Sequence, residues 1–444
     1  MTFLTYIFSF LTLISIIVFI HELGHFFFAR LFGVRVLDFS IGFGRSIKSW
    51  QTKNNTIFNL RALPLGGYVK MHGEESLDKS RESDSYNSKN YYQKLLITLG
   101  GPLFNFILAL VIFFSINLYG VYKISPIIGG VLPDSDAQII GLQKNDEILE
   151  IDNNKISSYS DAQVALSKRL GDTGTISLEI KRGENFFKYK IDIKDWLNTE
   201  QPSNFLSILG IIPPLEPIIG AVINSSPAEN GGLVAGDKLI QINNKNISFW
   251  SDIKKLVNDS GGKEIQITVL RNQKEIDLQI KPVLSEDSFN WQIGITSSYT
   301  LNSNIRKFER YSISESITNS FEQTYEVIQS SVLFIGKMIS GSISPKNLGG
   351  PVMIGQYAGE SVIYGGLYSF IYLIAFISIS LGIVNLLPLP VLDGGQALIL
   401  TIEKLIRRDL PDWLLEFFYK IGTAIILFIF IFVFFNDIFR ILGL

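Results

Sequence analysis

The stretch "ISIIVFIHELGHFFFARLFG", residues 14–33, places two histidines and a glutamate inside an apolar run. The apolar segment around it extends from Phe3 to Ala29, which is long enough for a helix of about 20 residues to cross a membrane. Ionisable side chains inside such a span are unfavourable by about 3 kcal/mol each on insertion scales. We therefore expect His21, Glu22 and His25 to have a role that compensates for this cost.

Composition distinguishes this chain from soluble enzymes and from nucleic-acid-binding proteins. Of its 444 residues, 47% are hydrophobic and 18% are charged, against about 25% charged in an average soluble domain. The formal net charge is −2, and no basic patch of the kind that binds nucleic acid stands out. Cysteine is absent, which excludes disulfides, thiolate metal ligands and a cysteine nucleophile. A membrane protein without a nucleic-acid partner is expected.

Three further apolar runs predict membrane spans, over residues 95–118, 367–389 and 413–435. A cleaved signal peptide is the alternative for the first span, but the segment lacks a basic start and a small-residue cleavage site, and it is too long.

Basic residues predict the orientation of these spans. They concentrate after the first span and between the third and fourth, at Arg30, Arg35, Arg45, Lys48, Lys53, Arg61, Lys404, Arg407 and Arg408. Because basic residues favour the cytoplasmic side, both segments are predicted there, with the chain ends and residues 120–360 across the membrane.

An internal repeat occupies the segment between the second and third spans. "PIIGGV" at 126–131 recurs as "PIIGAV" at 217–222, and Asp146 recurs as Asp237, both at an offset of 91 residues. Each copy continues into a helix-like stretch and then an alternating strand pattern, "TISLEIKRG" or "EIQITVLRN". The pattern resembles tandem PDZ domains, which bind peptides by adding a strand to a sheet edge. Peptide capture and steric gating both remain open as their role.

Two further elements are predicted beyond the second copy. "WQIGITSSYTL" at 291–301 predicts a last strand, and apolar residues at helical spacing predict an amphipathic helix over 312–341. The start of that helix is too polar for a span, so it is interpreted as lying on or dipping into the membrane face. Packing against the second PDZ-like copy is the alternative.

The spacing H-E-x-x-H in the first span indicates metal chemistry. On a helix, His21 and His25 lie on one face with Cβ atoms about 5–6 Å apart, so both imidazoles can reach one zinc ion at about 2.0–2.1 Å. Glu22 can serve as general base for a metal-activated water. Ligand type favours Zn²⁺, although the affinity order of divalent metals leaves others open.

A third ligand is predicted at the end of the third span, in "NLLPLPVLDGGQ" at 385–396. Pro388 and Pro390 interrupt the helix and free backbone groups that only a protein-lined or wet cavity tolerates at membrane depth. The predicted topology brings this end to the same side as the end of the first span, so Asp393 can approach both histidines. Two histidines, one carboxylate and an open position form a catalytic zinc arrangement. For Asp393 alone, a turn aspartate before two glycines is the alternative.

Together these features resemble the site-2 protease family of intramembrane zinc metalloproteases, over nearly the whole chain. The decisive motifs are HExxH in the first span, N-x-x-P-x-x-x-L-D-G at the end of the third, and the PDZ-like copies between spans. Other matching stretches are "FSIGFG" (39–44), "LPLGGYVKM" (63–71), "GGPLFNF" (100–106), "NLGGPVMIG" (347–355) and "FND" (435–437).

The resemblance implies roles for the matching residues. The zinc ligands would be His21, His25 and Asp393, and Glu22 would activate water. The residues that would contact the substrate are Asn385, Pro388, Gly66 and Gly67. The two glycines belong to a segment that looks like the family's membrane-associated β-loop, whose edge strand could pair with an unwound substrate.

The resemblance also implies partners and a location. The substrates would be single-span membrane proteins, such as an anti-sigma factor after a prior periplasmic cut, and remnant signal peptides. The PDZ pair would then filter substrates by size. The lipid bilayer is the other implied partner. The location would be the bacterial inner membrane, with periplasmic PDZ domains and the active site near the cytoplasmic side.

The predicted fold class is a multi-span α-helical membrane protein with four transmembrane helices and two tandem PDZ (α+β) domains between spans two and three. The predicted segments are transmembrane helix 1 (1–30), a cytoplasmic-side β-loop region (31–94), transmembrane helix 2 (95–118), PDZ domain 1 (119–200), PDZ domain 2 (206–285), a strand, amphipathic helix and linker (286–360), transmembrane helix 3 (367–389) followed by the LDG motif, a cytoplasmic loop (390–412) and transmembrane helix 4 (413–440).

Two other classes of protein compete with this interpretation. A metal-ion transporter or sensor predicts polar residues along the second and fourth spans, but the second offers only Asn105, Ser115 and Asn117. A non-catalytic scaffold gives no reason for Glu22 between two histidines. Zinc content, together with cleavage of a membrane-spanning peptide, distinguishes the three classes. His72 is interpreted as an ordinary polar residue.

Overall fold

The computed structural model describes residues 2–53, 55–74, 82–198, 204–285, 290–298 and 305–442. The chain divides into a helical unit, Met1–Gly120 with Arg310–Leu444, and a strand-rich unit, Val121–Glu309. The end of the strand predicted over 291–301 lies outside the described residues from 299 onwards.

The helices of the described residues are numbered in chain order. They are α1 (Thr2–Leu31), α2 (Tyr91–Thr98), α3 (Gly100–Tyr119), α4 (Asp136–Ile139), α5 (Tyr159–Ser167), α6 (Phe205–Ile208), α7 (Pro227–Asn230), α8 (Trp250–Asp259), α9 (Ile313–Ile339), α10 (Pro351–Asn385), α11 (Asp393–Ile406) and α12 (Asp412–Leu442).

The strands are numbered in the same way. They are β1 (Val36–Gln51), β2 (Ile57–Met71), β3 (Val121–Ile124), β4 (Gly130–Val131), β5 (Glu147–Ile151), β6 (Asn154–Lys155), β7 (Gly174–Arg182), β8 (Asn185–Ile193), β9 (Ile211–Ile212), β10 (Ile219–Val222), β11 (Lys238–Ile242), β12 (Lys245–Asn246), β13 (Ile265–Arg271), β14 (Lys274–Ile280), β15 (Val283–Leu284), β16 (Trp291–Gln292), β17 (Ile295–Ser297) and β18 (Arg306–Glu309).

Among the described residues, 4 helical segments are long and apolar enough to cross a membrane. They are Leu4–Leu31, Gly100–Tyr119, Gly365–Asn385 and Asp412–Leu442. The expectation of a multi-span helical membrane protein is confirmed at this level.

The second of these segments begins later than the apolar run in the sequence. Residues 95–98 belong to α2, and α3 begins only at Gly100. There α1 and α3 come so close that a Cβ on Gly24 would overlap the carbonyl oxygen of Gly100. Glycine at both positions lets the two backbones meet, which brings α3 against the face of α1 that carries the histidines.

Strands β1 and β2 form a curved hairpin in which each strand pairs along two stretches. The first part of β1 pairs on one side with residues 67–71 of β2 and on its other side with residues 57–60 of β2. The last part of β1, residues 46–51, pairs with the far side of residues 57–61. Residues 67–71 therefore form one edge of this sheet. Gly66 has a φ of 153°, and a Cβ there would overlap the ring of Phe43, so this bend requires glycine.

The first half of helix α9 turns its polar side inwards. Its buried residues are Ser316, Ser320 and Thr324. Its exposed residues include Ile317, Phe321 and Tyr325. The helix packs in the helical unit, where Asn117 of α3 donates a hydrogen bond to Gln323. An outward apolar face is the arrangement expected of a helix in contact with lipid.

The start of α10 is held by α12. The buried carboxylate of Asp437 accepts hydrogen bonds from the backbone N–H groups of Gly350, at 3.1 Å, and Met353, at 2.9 Å. Arg440 donates to the same carboxylate at 3.0 Å. An anion at a helix N-terminus is favourable because it pairs the free N–H groups and meets the positive end of the helix dipole. Further along, α10 is interrupted at Gly366.

The sequence repeat is also a structural repeat. The first copy (β4 to β9) contains a sheet of order β6-β5-β7-β8, and the second (β10 to β17) one of order β12-β11-β13-β14. In each copy a buried aspartate pairs with an arginine at 2.7 Å, Asp146 with Arg182 and Asp237 with Arg271. Each aspartate raises the pKa of its arginine by hydrogen bonding to it. Each copy encloses its own apolar core.

The two copies contact each other through the N-terminus of α8. Lys144 Nζ of the first copy lies 2.6 Å from the carboxylate of Asp252 in the second. Next to it, a Cβ on Gly130 would lie 2.9 Å from Ser251 Cβ. The residue that corresponds to Gly130 in the second copy is Ala221. The copies have therefore diverged at a point where they touch.

Candidate active site

Helices α1 and α11 bring together the three residues predicted to bind a metal. His21 Nε2 and His25 Nε2, one turn apart on α1, are 3.3 Å from each other. Asp393, the first residue of α11, places Oδ2 at 3.2 Å from His21 Nε2 and Oδ1 at 3.6 Å from His25 Nε2.

The turn between α10 and α11 determines where Asp393 lies. Residues 386–392 fold back on the first turn of α11, and Cβ atoms on Gly394 and Gly395 would overlap the carbonyl oxygens of Leu386 and Leu389. The two glycines are therefore needed for this close approach. The turn predicted as the alternative explanation for Asp393 exists, and it directs the carboxylate towards the histidines.

The spacing of these donor atoms fits a zinc ion. Two atoms that each lie about 2.05 Å from one metal ion are about 3.3 Å apart at the tetrahedral angle, and the three observed separations are 3.2, 3.3 and 3.6 Å. Asp393 Oδ2 is buried without a hydrogen bond to any described residue, as expected for a ligand atom. A Cβ on Gly101 would lie 2.5 Å from His25 Nε2 and 2.6 Å from His21 Nε2, so glycine leaves this space free.

The other nitrogen of each imidazole also has a contact. His25 Nδ1 lies 2.9 Å from the carbonyl oxygen of Ile97, and His21 Nδ1 lies 3.1 Å from the side-chain amide of Asn105. Sequence reasoning noted Asn105 as a polar residue of the second span but gave it no role. Its place in an apolar run one turn after Gly101 is the signal that could have singled it out.

Glu22 is buried between the metal cluster and the curved hairpin. Its side chain interacts electrostatically with His25 and Asp393. A Cβ on Gly67 would lie 2.8 Å from Glu22 Cγ and 2.8 Å from the carbonyl oxygen of Ser40. The sheet edge at residues 67–71 therefore begins directly beside the Glu22 side chain.

The remaining predicted residues lie on the same turn as Asp393. Asn385 ends α10 and is half-buried, and Pro388 is exposed on the way to α11. Their contacts with a substrate stay a prediction.

His72 belongs to a separate polar cluster with Glu82 and Asp84. His72 Nδ1 lies 3.0 Å from Asp84 Oδ1, and Arg35 lies 3.2 Å from Asp84 and 3.9 Å from Glu82. The arginine already supplies the cation that balances these carboxylates, so an ion-pair network accounts for the cluster.

The two histidines and the Asp393 carboxylate have zinc-like spacing, and Glu22 lies next to His21 on α1. This arrangement defines a metalloprotease-type site. The chain belongs to peptidase family M50, whose family model matches residues 9–429.

Curated relatives cover almost the whole chain. It is 33% identical to the regulator of sigma E protease of Haemophilus influenzae, over 99% of this chain and 100% of the relative. It is 32% identical to a Pasteurella multocida protein named as a zinc metalloprotease, with the same coverage. The regulator of sigma-E protease RseP of Escherichia coli is 30% identical, over 97% of this chain and 98% of the relative. The chain is thus a zinc-dependent metalloprotease.

Proposed function

We propose that this protein is an intramembrane endopeptidase that cleaves single-span membrane proteins by regulated intramembrane proteolysis. The observation that carries the proposal is the zinc-compatible cluster of His21, His25 and Asp393 on helices of the unit that contains the apolar spans. In this proposal these three residues hold the metal. When bound, zinc supplies a polarised carbonyl and a water of lowered pKa. Glu22 takes the proton of the attacking water and later passes it to the leaving amine.

A substrate helix has to unwind before this site can act, because its backbone groups are paired internally. The hairpin edge at residues 67–71 supports strand pairing with the unwound segment, since it starts beside Glu22 and lies next to β1 as the outer stretch of the sheet. Gly66 gives the edge its bend. Asn385 and Pro388 are proposed to contact the substrate from the turn before Asp393.

The names of the relatives support a substrate class. Relatives named as regulators of sigma E support an anti-sigma factor as substrate. We infer from the resemblance to site-2 proteases that this substrate is shortened beforehand on the periplasmic side. Remnant signal peptides share the single-span form. We place the protein in the bacterial inner membrane with its basic segments cytoplasmic, and we assign the two repeat copies as periplasmic PDZ domains that exclude substrates with large external domains.

Glu22→Gln tests the assignment of the base. The purified variant in detergent should keep the zinc content of the wild type and lose cleavage of a single-span test substrate. Glu416→Gln is the control, because that glutamate lies exposed on α12, where its ion pair among the described residues is with Lys420. Turnover by Glu22→Gln at the wild-type rate would remove Glu22 as base, and a wild type without zinc or cleavage would refute the proposed function.

The size filter is tested with two substrates that share one membrane span. Cleavage should be fast for the substrate with a short external segment and slow for the one that carries a folded external domain. Equal rates would contradict filtering by the repeat copies.

A further inference from the structure

Asn105 is a buried amide that the proposed chemistry does not use. It lies on α3 with 0% of its surface exposed. Burying an amide in an apolar span is costly unless it is hydrogen-bonded. Its contact with His21 Nδ1 at 3.1 Å therefore needs an explanation.

The chemistry of a metal-binding imidazole restricts this contact. If His21 binds metal through Nε2, the neutral ring carries its proton on Nδ1, and that N–H has to donate to an acceptor. For His25 the acceptor is the carbonyl oxygen of Ile97 at 2.9 Å, which fixes the tautomer without ambiguity. For His21 the group in reach is the side-chain amide of Asn105.

An amide can offer either its oxygen or its nitrogen, and hydrogen bonding decides which atom faces a partner because the two have nearly the same shape. With the nitrogen towards His21 Nδ1, Asn105 Oδ1 is buried without a hydrogen bond to any described residue. Rotation of the amide by half a turn places Oδ1 against Nδ1–H. That orientation agrees with a free lone pair on Nε2, 3.2 Å from Asp393 Oδ2.

The backbone at Asn105 is fixed from a third helix. Ser378 of α10 is fully buried and donates a hydrogen bond to the carbonyl oxygen of Asn105 at 3.0 Å. This contact holds the α3 backbone at the level of the amide, so the side chain has a defined position relative to His21.

We propose that Asn105 is a positioning residue that accepts the Nδ1–H of His21 and thereby holds Nε2 as a metal ligand. The inference rests on the proposed function, because it presumes that His21 binds zinc. The metal site then involves α3 through Asn105, in addition to His21 and His25 of α1 and Asp393 of α11.

The test compares three variants by zinc affinity, measured by chelator competition in detergent. Asn105→Leu keeps the shape and removes the acceptor, and should weaken zinc binding about 10–100-fold. Asn105→Asp keeps an acceptor at the same place and should bind zinc as well as the wild type. Asn117→Leu is the matched control, a second buried asparagine of α3 that bonds to Gln323 instead, and should leave zinc affinity unchanged.

A second readout follows the imidazole N–H directly. The protein has only 3 histidines, so ¹⁵N-labelled imidazole spectra are simple enough to assign. In the zinc-loaded wild type, the Nδ1–H of His21 should be protected from exchange with water. Asn105→Leu should lose this protection, and Asn105→Asp and Asn117→Leu should keep it.

Zinc affinity of Asn105→Leu within threefold of wild type, or an equal loss in Asn105→Asp, would overturn the inference. If Asn105→Leu does not fold, the exchange readout still decides, because an acceptor role requires that the Nδ1–H of His21 be protected in the wild type and in Asn105→Asp, and rapid exchange in either would overturn the inference. A wild type that binds zinc but does not cleave substrate would refute the proposed function and leave the inference standing.

Discussion

Gly101→Ala is expected to remove the metal site while leaving the helix intact. The new Cβ would lie 2.5 Å from His25 Nε2 and 2.6 Å from His21 Nε2. Ordinary van der Waals contact begins at 3.4 Å, so the nitrogens and the methyl group have to separate by about 0.9 Å, whereas zinc–ligand distances tolerate only about 0.2 Å.

The expected magnitude follows from this misfit. Loss of one outer hydrogen bond weakens metal binding about 10–100-fold. Displacement of both histidines should weaken it more than that. We therefore expect zinc affinity to fall more than about 100-fold, or about 2.8 kcal/mol. The helix itself should persist, because alanine is favoured over glycine in a helix by about 1 kcal/mol.

Zinc content per chain after purification, followed by chelator competition and a cleavage assay, measures the effect. Gly336→Ala is the matched control, because Gly336 is also helical and a Cβ there would meet nothing within 4 Å. Stoichiometric zinc in Gly101→Ala, with affinity close to wild type, would show that the metal does not lie between these two nitrogens.

Three further outcomes are expected. Gly67→Ala places a Cβ 2.8 Å from Glu22 Cγ, so zinc should stay at the wild-type level while cleavage falls at least about tenfold; unchanged turnover would contradict the placement of Glu22. Asp437→Ala leaves the first N–H groups of α10 unpaired, a loss of about 1.5–3 kcal/mol, and should lower the thermal midpoint in detergent. Hydrogen bonds from Ser312 lower the pKa of Glu315 from its ordinary value of 4.5. The ionised Glu315 therefore stabilises the start of α9 fully above pH 4.5, and this stabilisation is lost as the pH falls through the lowered pKa. The amide protection factors at the start of α9, which correct for the intrinsic pH dependence of exchange, should fall in acid, and Glu315→Gln should abolish that dependence.

The metal ligands could be predicted from sequence because each belongs to a local pattern. His21 and His25 are related by the helical period, and Asp393 follows an apolar run that ends at prolines and glycines. The contribution of α3 could not be predicted in this way. Gly101 and Asn105 reach the histidines only because α1 and α3 touch at the level of Gly100, and periodicity within one segment carries no information about such a crossing.

Other elements were missed for related reasons. α11 has an amphipathic pattern, but it starts at Asp393 with two glycines directly after it, and the sequence predicts a loop over 390–412 there. The amphipathic helix predicted over 312–341 is α9, yet the sequence alone does not indicate that Ser316, Ser320 and Thr324 are its buried residues. In lipid, apolar side chains are favoured on the outer face of a helix as well as between helices, so burial cannot be read from polarity there.

The contact between the repeat copies has a consequence for truncation experiments. Removing the first copy would also take Lys144 away from Asp252 and uncover Ser251. Asp252 caps α8 through the backbone N–H groups of Ser248 and Phe249, so the surviving copy would lose a contact at the N-terminus of this helix. The phenotype of such a deletion would therefore combine the loss of the first copy with an altered α8 in the second copy. Single substitutions at Lys144 are needed to separate these two effects.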